Sequence, residues 1–261
     1  TGASSGLGAA LARVLAARGA HVILSGRNVS ALNELAYSLP TDALVLPFEA
    51  TDYAALPAIV QKALGWKGRI DGLVNNAGIS QRSLAIETDF SVYEKIIGVD
   101  LLAPIALTQQ LLPHMVENGA GQIIAISSVA GMAGVPLRSA YCAAKHGLIG
   151  YHDSVRAENE HLGIKILVVA PGSIRTNVSR NALTADGSKR GQSDDAIENG
   201  MDPQAAAESM LDALNKGVRE LLLATGGEQM IAQLRRSDPE ALFDRVNATV
   251  RKGYAAKMKA A

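Results

Sequence analysis

Tyr141 and Lys145 stand four residues apart in the stretch SAYCAAKHGLIGYHDSV. On a helix that spacing puts both side chains on one face. A phenol titrates near ~10, so as a proton donor and acceptor at neutral pH it needs help. An ammonium alongside favours the phenolate. Lowering a phenol by ~3 units asks for about 4 kcal/mol of differential stabilisation, which a desolvated lysine charge and a second cation close by can supply. Ser128 lies thirteen residues before the tyrosine in AISSVAG, just past a strand-like run, and its hydroxyl can donate to a carbonyl oxygen. Taken alone, a Tyr and a Lys at this spacing also suit an ordinary amphipathic helix.

The chain opens on TGASSGLG, where Gly2, Gly6 and Gly8, with Ser4, Ser5 and Leu7 between them, precede an Ala/Leu-rich helix. Glycines let a pyrophosphate approach the backbone, and the helix start offers free N–H groups and partial positive charge. Helix caps and tight turns use the same residues, and the spacing differs from the common G-x-G-x-x-G. Such a turn follows a strand, whereas Thr1 already stands in the turn. The expectation is that roughly six to ten residues ahead of Thr1 form a buried apolar strand. In ILSGRN, Ser25, Gly26 and Arg27 occupy the place where an NAD-selective fold carries an acid. A guanidinium there matches a 2′-phosphate, so the expected cofactor is NADP(H), with NAD(H) the alternative.

These groups need a scaffold. Short apolar runs at 21–26, 43–48, 70–76, 121–127, 165–171 and 219–224 alternate with helix-like stretches. That order predicts a doubly wound α/β fold, with a parallel sheet and helices on both faces, as one domain over 1–261. Residues 177–203 are polar without alternation and read as a loop that closes over substrate. Residues 225–261 read as two helices, the second starting near Ser237-Asp238-Pro239-Glu240.

Composition narrows the function. Lys plus Arg and Asp plus Glu balance at 25 each, so nothing points to a nucleic-acid surface. Cys142, the single cysteine, excludes an internal disulfide and suits a reducing compartment, so a cytoplasmic location is expected, with an anchor or signal ahead of Thr1 as the alternative. No apolar run reaches the ~18 residues of a membrane span. The histidines at 21, 114, 146, 152 and 161 lack metal-ligand spacing, so no metal is expected. Cys142 and Trp66 read as packing residues. Arg82 reads either as a substrate contact or as a surface salt bridge.

In combination, TGASSGLG, NNAG at 75–78, Ser128, Tyr141, Lys145 and PGSIRT at 171–176 resemble the short-chain dehydrogenase/reductase family along nearly the whole chain. NNAGISQRSL further resembles its membrane-associated mammalian branch acting on retinoid and steroid carbonyls. The resemblance implies reversible reduction of a small ketone or aldehyde to an alcohol. Tyr141 is then the general acid/base, Lys145 its partner and ribose ligand, and Ser128 the group orienting the substrate oxygen. Asn75 would lie beside the adenosine ribose, with Ala77 and Gly78 packed close to it. Pro171, Gly172, Ile174 and Thr176 would flank the nicotinamide. Glu49, followed by Ala50, replaces the customary Asp near adenine. A homodimer or homotetramer through the helices preceding and containing the Tyr–Lys face is implied too. Asp100 stands where the family has a catalytic-tetrad asparagine, whose backbone carbonyl holds a relay water. Within a helix Pro104 would leave that carbonyl unclaimed by residue 104; alternatively Pro104 sits in the first turn of a helix that starts after Asp100. Two rivals share the fold: a dinucleotide-sensing regulatory protein, which needs only the glycine turn, and an epimerase or dehydratase.

Overall fold

The computed structural model describes residues 1–254 and Ala256. Its strands form at the β-branched and leucine-rich runs: β1 (Val22–Leu24), β2 (Ala43–Val45), β3 (Gly72–Asn75), β4 (Gly121–Ile126), β5 (Ile164–Pro171) and β6 (Glu220–Leu223). Helix α1 (Gly6–Ala17) precedes β1, and between the strands lie α2 (Val29–Ser38), α3 (Leu56–Lys67), α4 (Phe90–Ile97), α5 (Ala103–Glu117), α6 (Ser139–Asn159), α7 (Asp195–Glu198) and α8 (Pro203–Asn215). After β6 come α9 (Gly226–Ser237) and α10 (Pro239–Arg251), the latter capped by the Asp238 carboxylate.

All ladders are parallel, in the orders β1-β2 and β3-β4-β5-β6. Strand order runs outward in opposite directions from β1 and from β3, and among the described residues no strand lies between them. Residues 1–3 join the two at their C-terminal ends: Ala3 N donates to Ser25 O at 3.0 Å and Thr1 N to Val74 O at 2.9 Å. The Thr1 hydroxyl also accepts from the Asn76 and Ala77 amides. The glycine turn therefore stands where the strand order reverses, above the carboxyl ends of the strands, which is where open α/β sheets bind ligands.

The central strands are buried on both faces, so they read as continuous apolar runs, yet their side chains still alternate. Ile124, Ile126, Leu167 and Val169 pack with α1 and α8. Ile123, Ala125, Ile164, Ile166 and Val168 pack with Leu56 and Val60 of α3, Leu107, Leu111 and Met115 of α5, and Leu148 and Val155 of α6. This two-sided burial fixes the register of the strand ends that carry the candidate site.

One continuous helix, Phe90–Glu117, contains α4, a π-helical turn Gly98–Leu102, and α5. It is long and apolar enough to cross a membrane, although no uninterrupted apolar run suggests one. Its apolar face packs into the fold through Ile96, Leu107, Leu111 and Met115, and it carries the buried Asp100.

Candidate active site

The Tyr–Lys spacing falls within α6 as one turn of helix. Lys145 is buried, and its Nζ donates to Ile126 O at 3.0 Å. Nζ also lies 5.6 Å from the Tyr141 ring centroid and 3.2 Å from Asp100 Oδ2. Ser127 Oγ donates to Lys145 O at 3.0 Å, so the end of β4 is bonded to the same helical turn from both directions. Ser128 follows directly. Its hydroxyl accepts from Ala130 N at 3.1 Å and faces Pro171 O at 3.4 Å. Ser128 and Tyr141 are both part-exposed, while Lys145 beneath them is enclosed.

Asp100 is fully buried, and its Oδ1 accepts from Ile79 N at 2.9 Å. Oδ2 has no well-directed hydrogen-bond partner among the described residues, so its attraction to Lys145 is one of charge. Burial pushes the Asp100 carboxyl above its usual range, against the opposing pull of Lys145 and the Ile79 amide. Burial alone would lower the Lys145 ammonium, but Asp100 and then Tyr141 outweigh it, and the net direction is upward. A Cβ on Gly78 would sit 2.9 Å from Asp100 Oδ2 and 3.4 Å from Lys145 Nζ, so glycine is what lets the strand-end loop close over the pair.

Asp100 lies within the π turn, where Ala103 N bonds Gly98 O five residues back. Such turns recur at functional sites. Pro104 follows it inside a continuous helix. Its missing N–H leaves the Asp100 carbonyl unclaimed by residue 104, and the ladder widens there to accommodate the ring. Tyr53 Oη donates to Gly98 O at 3.0 Å, tying the turn to the loop after β2.

The glycine turn has the shape a phosphate needs. Gly2 and Gly6 have φ of 66° and 53°, and a Cβ at Gly8 would lie 2.3 Å from Gly2 O. Ser5 precedes α1 without capping it through its side chain, which leaves the first helical amides for another acceptor. A recess of about 390 Å³ opens beside Ser4, Ser5, Gly6 and Arg13. Gly6 packs against Thr176, with a Cβ only 3.0 Å from Thr176 Cγ2, so the turn and the PGSIRT loop face each other. At the ends of β1 and β2, Arg27 is mainly exposed and pairs with exposed Glu49 at 3.6 Å, while Ser25 is buried. Leu7 is buried in the core. Ala50 and Ala77 line a small cavity of about 10 Å³ with Asn75.

Asn75, expected beside a ribose, is buried at the end of β3. Its amide Nδ2 donates to Thr108 Oγ1 at 3.1 Å and makes a long 3.5 Å contact with His152 Nε2. The side chain thus braces β3 against α5 and α6, and Oδ1 is buried without a partner among the described residues. His152 Nδ1 donates to Leu148 O at 2.9 Å, and burial lowers the imidazole to about 4, so it is neutral.

Arg82 is neither a surface salt bridge nor a free substrate contact. It is buried, with Nε 2.9 Å from Asp194 Oδ2. The same carboxylate meets Arg190 and, at 3.2 Å, Arg138, while Ser179 bonds the Asp194 amide. Burial lowers the Arg82 guanidinium to about 10, with Arg138 adding to that effect. Burial alone would raise the Asp194 carboxyl, but Arg82 and then Arg190 hold it well below the usual carboxylate range. Residues 177–203 are therefore pinned down. They also hold bridges Gln81↔Leu183, Leu183↔Lys189 and Ile174↔Met201, besides α7, where the sequence showed only a loop. Leu183 packs with Val92, Ile96, Ala140 and Ala144, and Tyr141 and Ile79 pack against this cluster. No local spacing links Arg82 to a residue 112 positions away.

Glu228 was missed for a different reason. Thr225-Gly-Gly-Glu228 spells a capping box, yet the side chain bonds Ser173 instead, with Oε2 accepting from Ser173 N at 2.8 Å and Oε1 from Ser173 Oγ at 2.7 Å. Among the described residues no group of His, Cys, Asp and Glu has the arrangement of a metal site. Cys142 is buried and accepts from Val135 N.

Residues 1–187 match the profile of the family described as short chain dehydrogenase. The chain is 40% identical over 256 residues to Dehydrogenase/reductase SDR family member 7B of Mus musculus, covering 95% of this chain and 79% of that protein. A crystal structure of a short-chain dehydrogenase from Streptomyces avermitilis superposes with a TM-score of 0.81 at 30% identity, over 97% of this chain and 96% of that one. A metagenomic short-chain oxidoreductase in complex with NADP superposes with a TM-score of 0.70 at 29% identity, over 85% and 93%. The sheet order, the Lys145-centred constellation and this similarity converge: the chain is an NAD(P)-type Rossmann-fold dehydrogenase/reductase and belongs to the short-chain dehydrogenase/reductase family.

Proposed function

We propose that this enzyme interconverts a ketone or aldehyde and its alcohol with NADP(H), using Tyr141 as the proton donor and acceptor. The observation that carries the reading is the enclosed Lys145, held by Ile126 O and Asp100 with its charge against the part-exposed Tyr141. The glycine turn and the start of α1 fit a pyrophosphate, the Thr176 loop facing them fits the nicotinamide half, and Arg27 fits a 2′-phosphate. When bound, the nicotinamide supplies or accepts the hydride. Ser128 orients the substrate oxygen by hydrogen bonding, and Tyr141 passes the proton to that oxygen. Lys145 holds the charge that makes this proton transfer favourable. The wall behind Tyr141 is a buried apolar cluster of Val92, Ile96 and Leu183 with part-buried Ile79 against it, and this apolar backing favours an apolar substrate body beside the tyrosine. Residues 177–203 supply part of that wall and act as the substrate cover. Exposed Phe90 and Leu102 on the 90–117 helix mark the face we assign to self-association.

Incubation with NADPH and a panel of aromatic, steroid, retinoid and sugar carbonyls tests this reading. Substrate-dependent NADPH consumption is expected. Tightly retained cofactor with no net turnover would favour an epimerase, and cofactor binding without any chemistry a sensor. For the cofactor choice, Arg27→Ala should weaken NADP(H) binding by roughly 1.5–3 kcal/mol through loss of a charge-assisted contact, with NAD(H) nearly unchanged. Equal losses for both cofactors would contradict it.

A further inference from the structure

The Pro171–Thr176 loop follows β5, and its course depends on a residue from the far end of the chain. Gly172 N donates to Leu223 O at 3.0 Å, and Met201 N donates to Ser173 O at 2.9 Å. Those two bonds come from backbone on either side. The third support is the Glu228 carboxylate in the first turn of α9, which engages Ser173 through both of its oxygens. The approach is close: a Cβ on Gly172 would lie 2.1 Å from Glu228 Oε2 and 3.0 Å from Ala224 Cβ. Ser173 N–H is thereby satisfied by a charged acceptor, which makes a stronger bond than a neutral one. The same loop receives the Ser128 hydroxyl at Pro171 O and packs Thr176 against Gly6.

Helix α9 belongs to the terminal helix pair, which has few other anchors. Ala232 and Leu242 are its buried apolar residues among those described, and Arg236 meets Glu220 at the surface. α9 also contacts the turn Val129–Gly131 directly after Ser128.

We infer that Glu228 is a positioning residue for the nicotinamide half of the cofactor site: its double bond to Ser173 sets the shape of the Pro171–Thr176 loop and couples the docking of α9 and α10 to cofactor binding. This rests on the assignment of that loop to NADP(H) binding. Glu228 touches no reacting atom in this account and works through Ser173. Coupling is reciprocal, so a ligand that needs the ordered loop also tightens the helix pair.

Two probes separate the halves of the site: NADPH, which uses both, and 2′,5′-ADP, which carries the adenosine half alone. Binding of each is measured by calorimetry on the full chain and on Glu228→Gln, Ser173→Ala and the double variant. Glu228→Gln should weaken NADPH about tenfold and change 2′,5′-ADP less than twofold. Ser173→Ala, which removes the hydroxyl bond alone, should weaken NADPH about threefold, and the double variant should lose less than the product of the two. NADPH should slow amide exchange in 225–251 of the wild type, whereas 2′,5′-ADP should not. Equal weakening of both probes in Glu228→Gln, or no weakening of NADPH, would overturn the inference while leaving the cofactor assignment standing. If Glu228→Gln fails to fold, Ser173→Ala decides alone, and unchanged NADPH affinity there overturns the inference. Failure of the wild type to bind either probe would overturn the cofactor assignment itself and this inference with it.

Discussion

At the scale of single residues, the distinguishing feature is a buried carboxylate beside Lys145. Asp100 and Lys145 are both enclosed, 3.2 Å apart, with Ile79 N on the other carboxylate oxygen. Taking one partner from a buried pair leaves the other charge uncompensated, so Asp100→Ala should cost on the order of 3–5 kcal/mol in unfolding free energy. Asp100→Asn is the more informative change, because an amide oxygen still accepts from Ile79 while the negative charge is gone. That charge stabilises the ammonium and opposes phenolate formation nearby. In alcohol oxidation, the pH at which the general base becomes active should therefore fall, by about 1 unit, with substantial activity retained. A pH–rate profile reads this directly, and an inactive Asp100→Asn enzyme or an upward shift would contradict it. Pro104→Ala restores an N–H that can claim the Asp100 carbonyl, and it should slow turnover more than it weakens NADP(H) binding.

At the scale of elements, segment 177–203 is held by one carboxylate among three guanidiniums. Asp194→Asn should cost on the order of 3–5 kcal/mol locally and speed amide exchange in 177–203 before global unfolding. The sign with pH follows from the depressed Asp194 carboxyl. Its contribution is complete above the unfolded carboxylate range near ~4 and drains away as pH falls below that. Exchange in this segment should accordingly rise selectively in acid, and an unchanged rate in Asp194→Asn would contradict the latch. The strands were legible because β-branched runs announce buried parallel strands, and Tyr141 with Lys145 because one helical turn is encoded in their spacing. What the sequence hid was tertiary. Asp194 meets Arg82 only after the chain has folded back, Glu228 forgoes its local cap for Ser173, and Asn75 turns inward to Thr108. The π turn was half visible: Pro104 signalled a missing bond, but only the packed helix shows the ladder widening rather than stopping.

At the scale of the whole molecule, the two sets of strands meet at residues 1–3, and the helices of one face converge on the buried Asn75–Thr108–His152 contact. His152 is neutral in the fold, with its imidazole lowered to about 4. The unfolded chain, near ~6.5, takes up its proton first, so stability is full above that value and falls as pH drops toward 4. Urea unfolding should show a loss of about 1.5 kcal/mol between pH 6.5 and 5 from this group. His152→Gln should flatten that slope, and an unaltered slope would remove His152 from the account. The central claim, carbonyl reduction with Tyr141 as proton donor, is tested most directly by comparing the wild type with Tyr141→Phe using NADPH deuterated at the transferable position. The wild type should yield alcohol labelled at the carbinol carbon. Tyr141→Phe should bind NADPH with unchanged affinity and yield almost none. Labelled alcohol from Tyr141→Phe at near wild-type rate would contradict the account.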